Sequence, residues 1–161
     1  MRLRAVLDTS VLLDAERHEL LYAVRLKLFT IVWSAFIAAE FARVRTELSF
    51  THGLDPHVNR ERINDFVYEV SLSALMVNYT RLRGGNYETW LTDRDDVPIL
   101  ATALVGKAQY IVSWNTKHFP PDGVYAGIRY VTPRQFLDEL YSQHPDRDIP
   151  LAFENSGFRV H

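Results

Sequence analysis

Short apolar, β-prone runs alternate with stretches of helical period along most of this chain, and that alternation narrows the possible folds more than any other feature. Residues 3–7, 30–33, 110–113 and 128–131 read as buried strands. Between the first two, residues 10–28 read as helix with a break near His18, with Leu20, Leu21, Val24 and Leu28 at helical spacing. Ser34 is placed to cap a helix running to about residue 48, striped by Ile37, Phe41, Val44 and Leu48. After a turn at residues 52–56, a long amphipathic helix is expected over residues 58–75, with Ile63, Phe66, Val67 and Val70 facing inward. Residues 76–79 suit either its last turn or a short strand, and Gly84-Gly85 marks a loop. An alanine- and leucine-rich helix follows at residues 96–106, where Gly106 suits the C-cap and Lys107 the negative end of the dipole. Residues 115–119 form a loop or single turn, and Thr132 caps a helix over residues 133–141 with Pro133 at its first position. Such alternation predicts a three-layer α/β/α fold with a central, mainly parallel sheet covered on both faces.

The chain has 161 residues, 47% of them hydrophobic, enough for one domain with a single core. We expect that domain over residues 1–143, followed by a tail at 144–161 whose Pro, Asp, Asn and Gly residues suggest an extended or partner-dependent segment. Cysteine is absent, which excludes disulfides and thiolate metal sites and fits a reducing, cytoplasmic setting. No run is long enough to cross a bilayer, and Asp8 and Asp14 interrupt the N-terminal apolar stretch too early for a signal segment. A net charge of -2 does not announce a nucleic-acid binder, so any cations that grip one must be gathered on one face.

Three acids interrupt apolar contexts. Asp8 ends the first strand, where a parallel sheet places its chemistry; Glu40 lies in the early turns of the second helical region, and Asp96 opens a later helix. Read singly, Asp8 can cap the helix that follows it, Glu40 can pair with Arg43, and Asp96, with Asp93 and Asp95 nearby, can complement a helix dipole. Read jointly, they can point into one crevice above the sheet. Clustered carboxylates repel one another unless a hard divalent cation neutralises them, and Mg²⁺ or Mn²⁺ prefers such oxygen ligands. A cation of this kind acidifies water and shields charge developing on a phosphate, which is the chemistry of phosphodiester cleavage.

Several segments resemble the PIN-domain family, and within it the VapC-like toxins of toxin–antitoxin pairs. These are Ala5-Val6-Leu7-Asp8-Thr9-Ser10-Val11-Leu12-Leu13, residues 34–41 around Glu40, Asp95-Asp96-Val97-Pro98-Ile99-Leu100-Ala101-Thr102-Ala103-Leu104, Tyr110-Ile111-Val112-Ser113-Trp114-Asn115-Thr116-Lys117-His118-Phe119 and Tyr130-Val131-Thr132-Pro133-Arg134-Gln135-Phe136-Leu137. The resemblance implies a PIN-like fold and a Mg²⁺- or Mn²⁺-dependent ribonuclease. It places Asp8, Glu40 and Asp96 at the family's acidic positions, with Asp8 and Asp96 the nearest metal ligands and Asp96 preferred over Asp95. Asn115 stands at a fourth position that is often aspartate; its amide keeps an oxygen acceptor but drops a charge, which weakens any second metal. Ser10 and Ser113 match positions that support the acids by hydrogen bonding.

The reaction so implied is in-line attack of water on phosphorus, leaving a 5′ phosphate and a 3′ hydroxyl. Arg43 and Lys117, with Arg45, Arg81, Arg83, Arg94 and Lys107, are candidate phosphate contacts, and Tyr87, Trp90 and Trp114 candidates for stacking on bases. The resemblance further implies RNA as substrate, a cognate antitoxin and a homodimer. The exposed apolar residues of the helix beginning at Val58, or the tail at residues 151–160 with Phe153 and Phe158, are the expected contact surfaces. A phosphatase of the haloacid dehalogenase type would carry Asp-x-Asp after the first strand, and Ser10 occupies that second position. The remaining alternatives are a non-catalytic PIN-like RNA-binding or assembly module, and a nuclease acting on larger RNA or DNA substrates.

Overall fold

The computed structural model describes residues 2–78 and 96–160. Six strands, β1 (Leu3–Leu7), β2 (Phe29–Trp33), β3 (Leu75–Met76), β4 (Tyr110–Val112), β5 (Val124–Tyr125) and β6 (Ile128–Val131), form one sheet in the order β3-β2-β1-β4-β6-β5. Every pairing is parallel except that of β5 with β6. Ala5, Val6 and Leu7 are all buried, as are Tyr110, Ile111 and Val112. Because neighbouring side chains in a strand point to opposite faces, such runs require cover on both sides.

Helices supply that cover. The chain adds α1 (Thr9–Leu12), α2 (Glu16–Arg25), α3 (Ala35–Thr51), α4 (Pro56–Ser73), α5 (Asp96–Val105), α6 (Pro133–Ser142) and α7 (Ile149–Ser156). Phe29 of β2 meets Phe136 of α6 edge-on at 4.9 Å. Val32, on the other face of β2, lies under α5, where a Cβ added to Gly106 would come within 2.1 Å of its Cγ1. The helices α5 and α6 therefore lie on opposite faces of the sheet, as the three-layer reading requires.

Several local expectations are revised. The first helical stretch breaks at Leu13–Ala15 rather than near His18, since Asp14 turns the chain by accepting the Ala15 N–H on its Oδ1. Residues 75–76 are a strand beside β2, with Tyr79 and Gly84-Gly85 outside the described residues. Gly106 is not the left-handed residue at the end of α5; Lys107 takes that conformation at φ 52°, and Gly106 is there for close packing. The segment 144–161 is not extended: it contains α7, capped by Asp148 and ended by Gly157 at φ 65°. Its Phe153 and Phe158 sit against Tyr22 of α2 at 5.5 and 5.6 Å. Among the described residues, no helix is long and apolar enough to cross a membrane.

Candidate active site

The strand order makes β1 the switch point: the chain moves to β2 on one side and later returns to β4 on the other. In open α/β sheets the crevice beyond the carboxyl ends of such strands is where ligands bind. Asp8 follows β1 and Ser113 follows β4, and the Asp8 N–H donates to the Val112 carbonyl at 3.0 Å, which fixes the two strand ends beside each other.

Asp8 has extended backbone and caps the short α1, its Oδ1 accepting the Thr9 N–H at 2.8 Å. Its Oδ2 accepts from the hydroxyls of Ser113 at 2.7 Å and Ser10 at 3.0 Å. Capping and a place in the site thus coexist, so the two readings of this aspartate were not exclusive. The serines are themselves fixed: Ser10 Oγ accepts the Trp114 N–H and Ser113 Oγ the Asn115 N–H. No lysine or arginine among the described residues pairs with Asp8. The carboxylate therefore adds negative charge to the crevice while its oxygens are held by short neutral donors.

Asp8, Asp96, Ser113, Asn115 and His118 line one small cavity of about 20 Å³, closed on its apolar side by Ile99, Ile111, Phe119 and Tyr130. That is room for about one water-sized group. Asp96 opens α5, and its Oδ2 lies 2.8 Å from Nδ1 of His118, which ends the 3₁₀ turn Thr116–His118; the ring nitrogen is buried and the approach is not aligned as a regular hydrogen bond. Tyr130 is kept protonated well above the ordinary phenol range, first by burial and then by the negative charge of Asp96 and the neighbouring Tyr125.

Glu40 sits apart from this cavity, in a shallow depression with Phe36, Ala39 and Arg43. It is linked to the site through Thr9, whose hydroxyl donates to Glu40 Oε2 at 2.7 Å. Arg43 pairs with Glu47, not with Glu40. Lys117 is exposed within the 3₁₀ turn beside the cavity, as is Trp114 just before it. Lys107 lies at the opposite, N-terminal edge of β4. Arg81, Arg83, Tyr87, Trp90, Arg94 and Asp95 fall outside the described residues. The residues that sequence reasoning passed over are Thr9, His118 and Tyr130; all three stood inside the quoted motifs, but only the fold shows that they touch the acids or line their cavity.

Among the described residues, no three carboxylate or imidazole side chains gather closely enough to enclose a metal ion by themselves. The donor set still fits a small hard cation: two carboxylates, an amide oxygen and a hydroxyl face one cavity of ionic size. Mg²⁺ is commonly held by one or two carboxylates, with waters and substrate phosphate completing its shell.

A sequence model described as PIN domain matches residues 4–117, a span that includes Asp8, Glu40, Asp96, Ser113 and Asn115 and stops one position before His118. Comparison with curated proteins and with solved structures gave no match.

Proposed function

The chain belongs to the PIN-domain family, whose members are in general nucleases that act with divalent metal ions, and from that premise we propose that it is a Mg²⁺- or Mn²⁺-dependent endoribonuclease. The observation that carries this reading is the shared cavity of Asp8 and Asp96 at the switch point of the sheet. Asp8 and Asp96 would hold the cation, with Asn115 as a further oxygen donor and Glu40, outside the cavity, reaching it directly or through water from beside Thr9; when bound it supplies positive charge to offset the phosphate and acidify water. Ser10 and Ser113 keep Asp8 in one orientation. Their hydroxyls already donate to a carboxylate and neither has an imidazole partner, so neither is an activated nucleophile. Water is then the attacking group, its proton passes to a carboxylate of the pair, and the 3′ oxygen leaves with a hydroxyl proton while the phosphate stays on the 5′ end. Trp114 at the rim offers a face on which an unpaired base can stack.

Within the family, the resemblance of the motifs to VapC-like toxins supports a role as the toxin of a toxin–antitoxin pair, held in check by an antitoxin and acting as a homodimer in the cytoplasm. Exposed apolar side chains on α3 and α4 suit protein partners: Phe50 is 70% and Leu72 68% accessible. A non-catalytic RNA-binding module is favoured by one specific observation, that asparagine rather than an acid stands at position 115.

Incubating the purified chain with single-stranded RNA and matched DNA in Mg²⁺, Mn²⁺ or EDTA decides between them. Cleavage of RNA is expected with either metal, to vanish in EDTA, and to fall at least about 100-fold in Asp8→Asn and in Asp96→Asn, the scale of losing a group that acts on the reacting atoms. A partner-free wild type that leaves a broad RNA panel intact would move the assignment to the binding module.

A further inference from the structure

A second pocket, one short helix away from Asp8, contains three arginines and no acid. It has a volume of about 190 Å³ and is walled by Leu12, Leu13, Leu48 and Leu54, with Arg17, Arg45 and Arg62 among its polar lining. No ion pair joins any of the three arginines to a carboxylate among the described residues; the ion-paired arginines there are Arg43, Arg129 and Arg134. Arg17 donates from Nη1 to the Asp14 backbone carbonyl at 2.8 Å, while its Nε is buried with no partner. Leaving a charged donor unsatisfied in this way is costly. The Arg45 guanidinium carbon lies 5.8 and 5.9 Å from the ring centroids of Phe41 and Phe66, within cation–π range of both. Burial, then the charges of Arg17 and Arg62, ease the proton affinity of Arg45 downward, as expected for cations crowded together, while Asp14 is a nearby counter-charge to Arg17 alone of the three. The neighbouring Glu16 also has an unpartnered oxygen, but it does not line the pocket.

Three crowded guanidinium groups without an acid describe a site for an anion, and arginine's planar fork suits the oxygens of phosphate. Position favours a nucleic-acid phosphate. The four-residue α1 begins at its Asp8 cap and ends on Leu12 in the pocket wall, about 6 Å of helix. Likewise Glu40, bonded to Thr9, and Arg45 are separated by about 7 to 8 Å along the axis of α3, with Arg45 turned about 140° around it from Glu40. The pocket thus lies a short distance from the acids, around α3 from the depression that holds Glu40.

We propose that Arg17, Arg45 and Arg62 form a phosphate-binding subsite that grips the RNA strand adjacent to its cleavage point. This rests on the ribonuclease reading above and supplies the local cation grouping that a chain of net charge -2 needs. The test is anisotropy of a fluorescent single-stranded RNA titrated with the full chain in EDTA, where cleavage is suppressed, over a series of salt concentrations. Arg62→Gln and Arg45→Gln are each expected to weaken binding about tenfold and to reduce the magnitude of the salt slope by about 0.7, with Arg45→Lys intermediate. Lys27→Gln, exposed at the N-terminal edge of β2 and so at the far edge of the sheet from the acids, should leave both unchanged. The exposed Arg62 keeps the test meaningful if Arg45→Gln loses stability with its aromatic contacts.

A parallel titration with a glutamate-rich peptide separates the sources of negative charge. Loss of peptide binding with RNA binding intact in the arginine variants overturns the proposal in favour of an acidic protein ligand. RNA binding unchanged in the variants, while wild type still cleaves RNA in Mn²⁺, overturns the subsite and leaves the nuclease reading standing. Arginine-dependent RNA binding by a wild type that never cleaves supports the subsite and removes the nuclease.

Discussion

Asp8 holds its place by hydrogen bonds from neutral groups, and this makes the two serines the most informative side chains to alter. Ser113 gives the shorter bond to Oδ2, 2.7 Å against 3.0 Å from Ser10, and also receives the Asn115 N–H, so its hydroxyl ties β4's end to both site residues. Ser113→Ala should reduce Mn²⁺ affinity and RNA cleavage by about 10- to 100-fold, the range found for groups that orient a metal ligand without touching the metal. Calorimetric titration of Mn²⁺ alongside cleavage rates measures both, and Ser113→Thr should recover most of the loss. Equal metal affinity in wild type and Ser113→Ala would mean that Asp8 needs no such support. The pairing of Asp8 with Ser10 was legible through the family resemblance, which sets an acid and a hydroxyl two positions apart. The bond from Thr9 to Glu40 joins residues 31 positions apart, and the approach of His118 to Asp96 spans 22, so neither was visible until strand order brought their loops together.

At the scale of elements, the sequence signals located most helices and strands because burial on one or both faces imposes a period that can be read directly. What they misassigned was the purpose of small and polar residues at element ends. Ser34 does precede α3 with extended backbone, yet its hydroxyl makes no cap bond; it is buried and accepts from Thr102 Oγ1 of α5 at 2.9 Å, linking two helices across the sheet edge. Gly106 looks like a C-cap but has a steric role, since any side chain there would strike Val32. Gly106→Ala should therefore destabilise the fold by about 1–3 kcal/mol through overpacking, even though alanine favours helix. Urea unfolding checks this: the midpoint should fall with the slope unchanged. A variant as stable as wild type would show that α5 can lift from β2 without cost. In the C-terminal segment the error ran the other way, because Asp148, Pro150 and Gly157 read as loop punctuation when they are the start and stop signals of α7.

For the molecule as a whole, α7 and the residues after it return the chain's end to its first long helix. Tyr22 lies between Phe153 and Phe158, Arg25 sits over Phe158 and Arg159 over Phe153. The polar lock on this arrangement is the Val160 N–H, which donates to His18 Nδ1 at 3.1 Å. That bond requires Nδ1 to be unprotonated. His18 is correspondingly held below its ordinary value of 6.5, first by burial and then by the positive charges of Arg17 and Arg159. A histidine with a lowered folded-state pKa takes up its proton more readily in the undocked state, so acid favours undocking. Docking should be at full strength above about pH 6.5 and weaken as pH falls from there through the lowered value. Amide exchange of Val160 and of α7, corrected for intrinsic rates, should therefore show less protection at pH 5 than at pH 7.5. His18→Gln supplies an acceptor that does not titrate, and its protection should vary less across the same range. If the glutamine variant loses protection with acid as steeply as wild type, the C-terminal segment is released by some other group and His18 is only a neighbour.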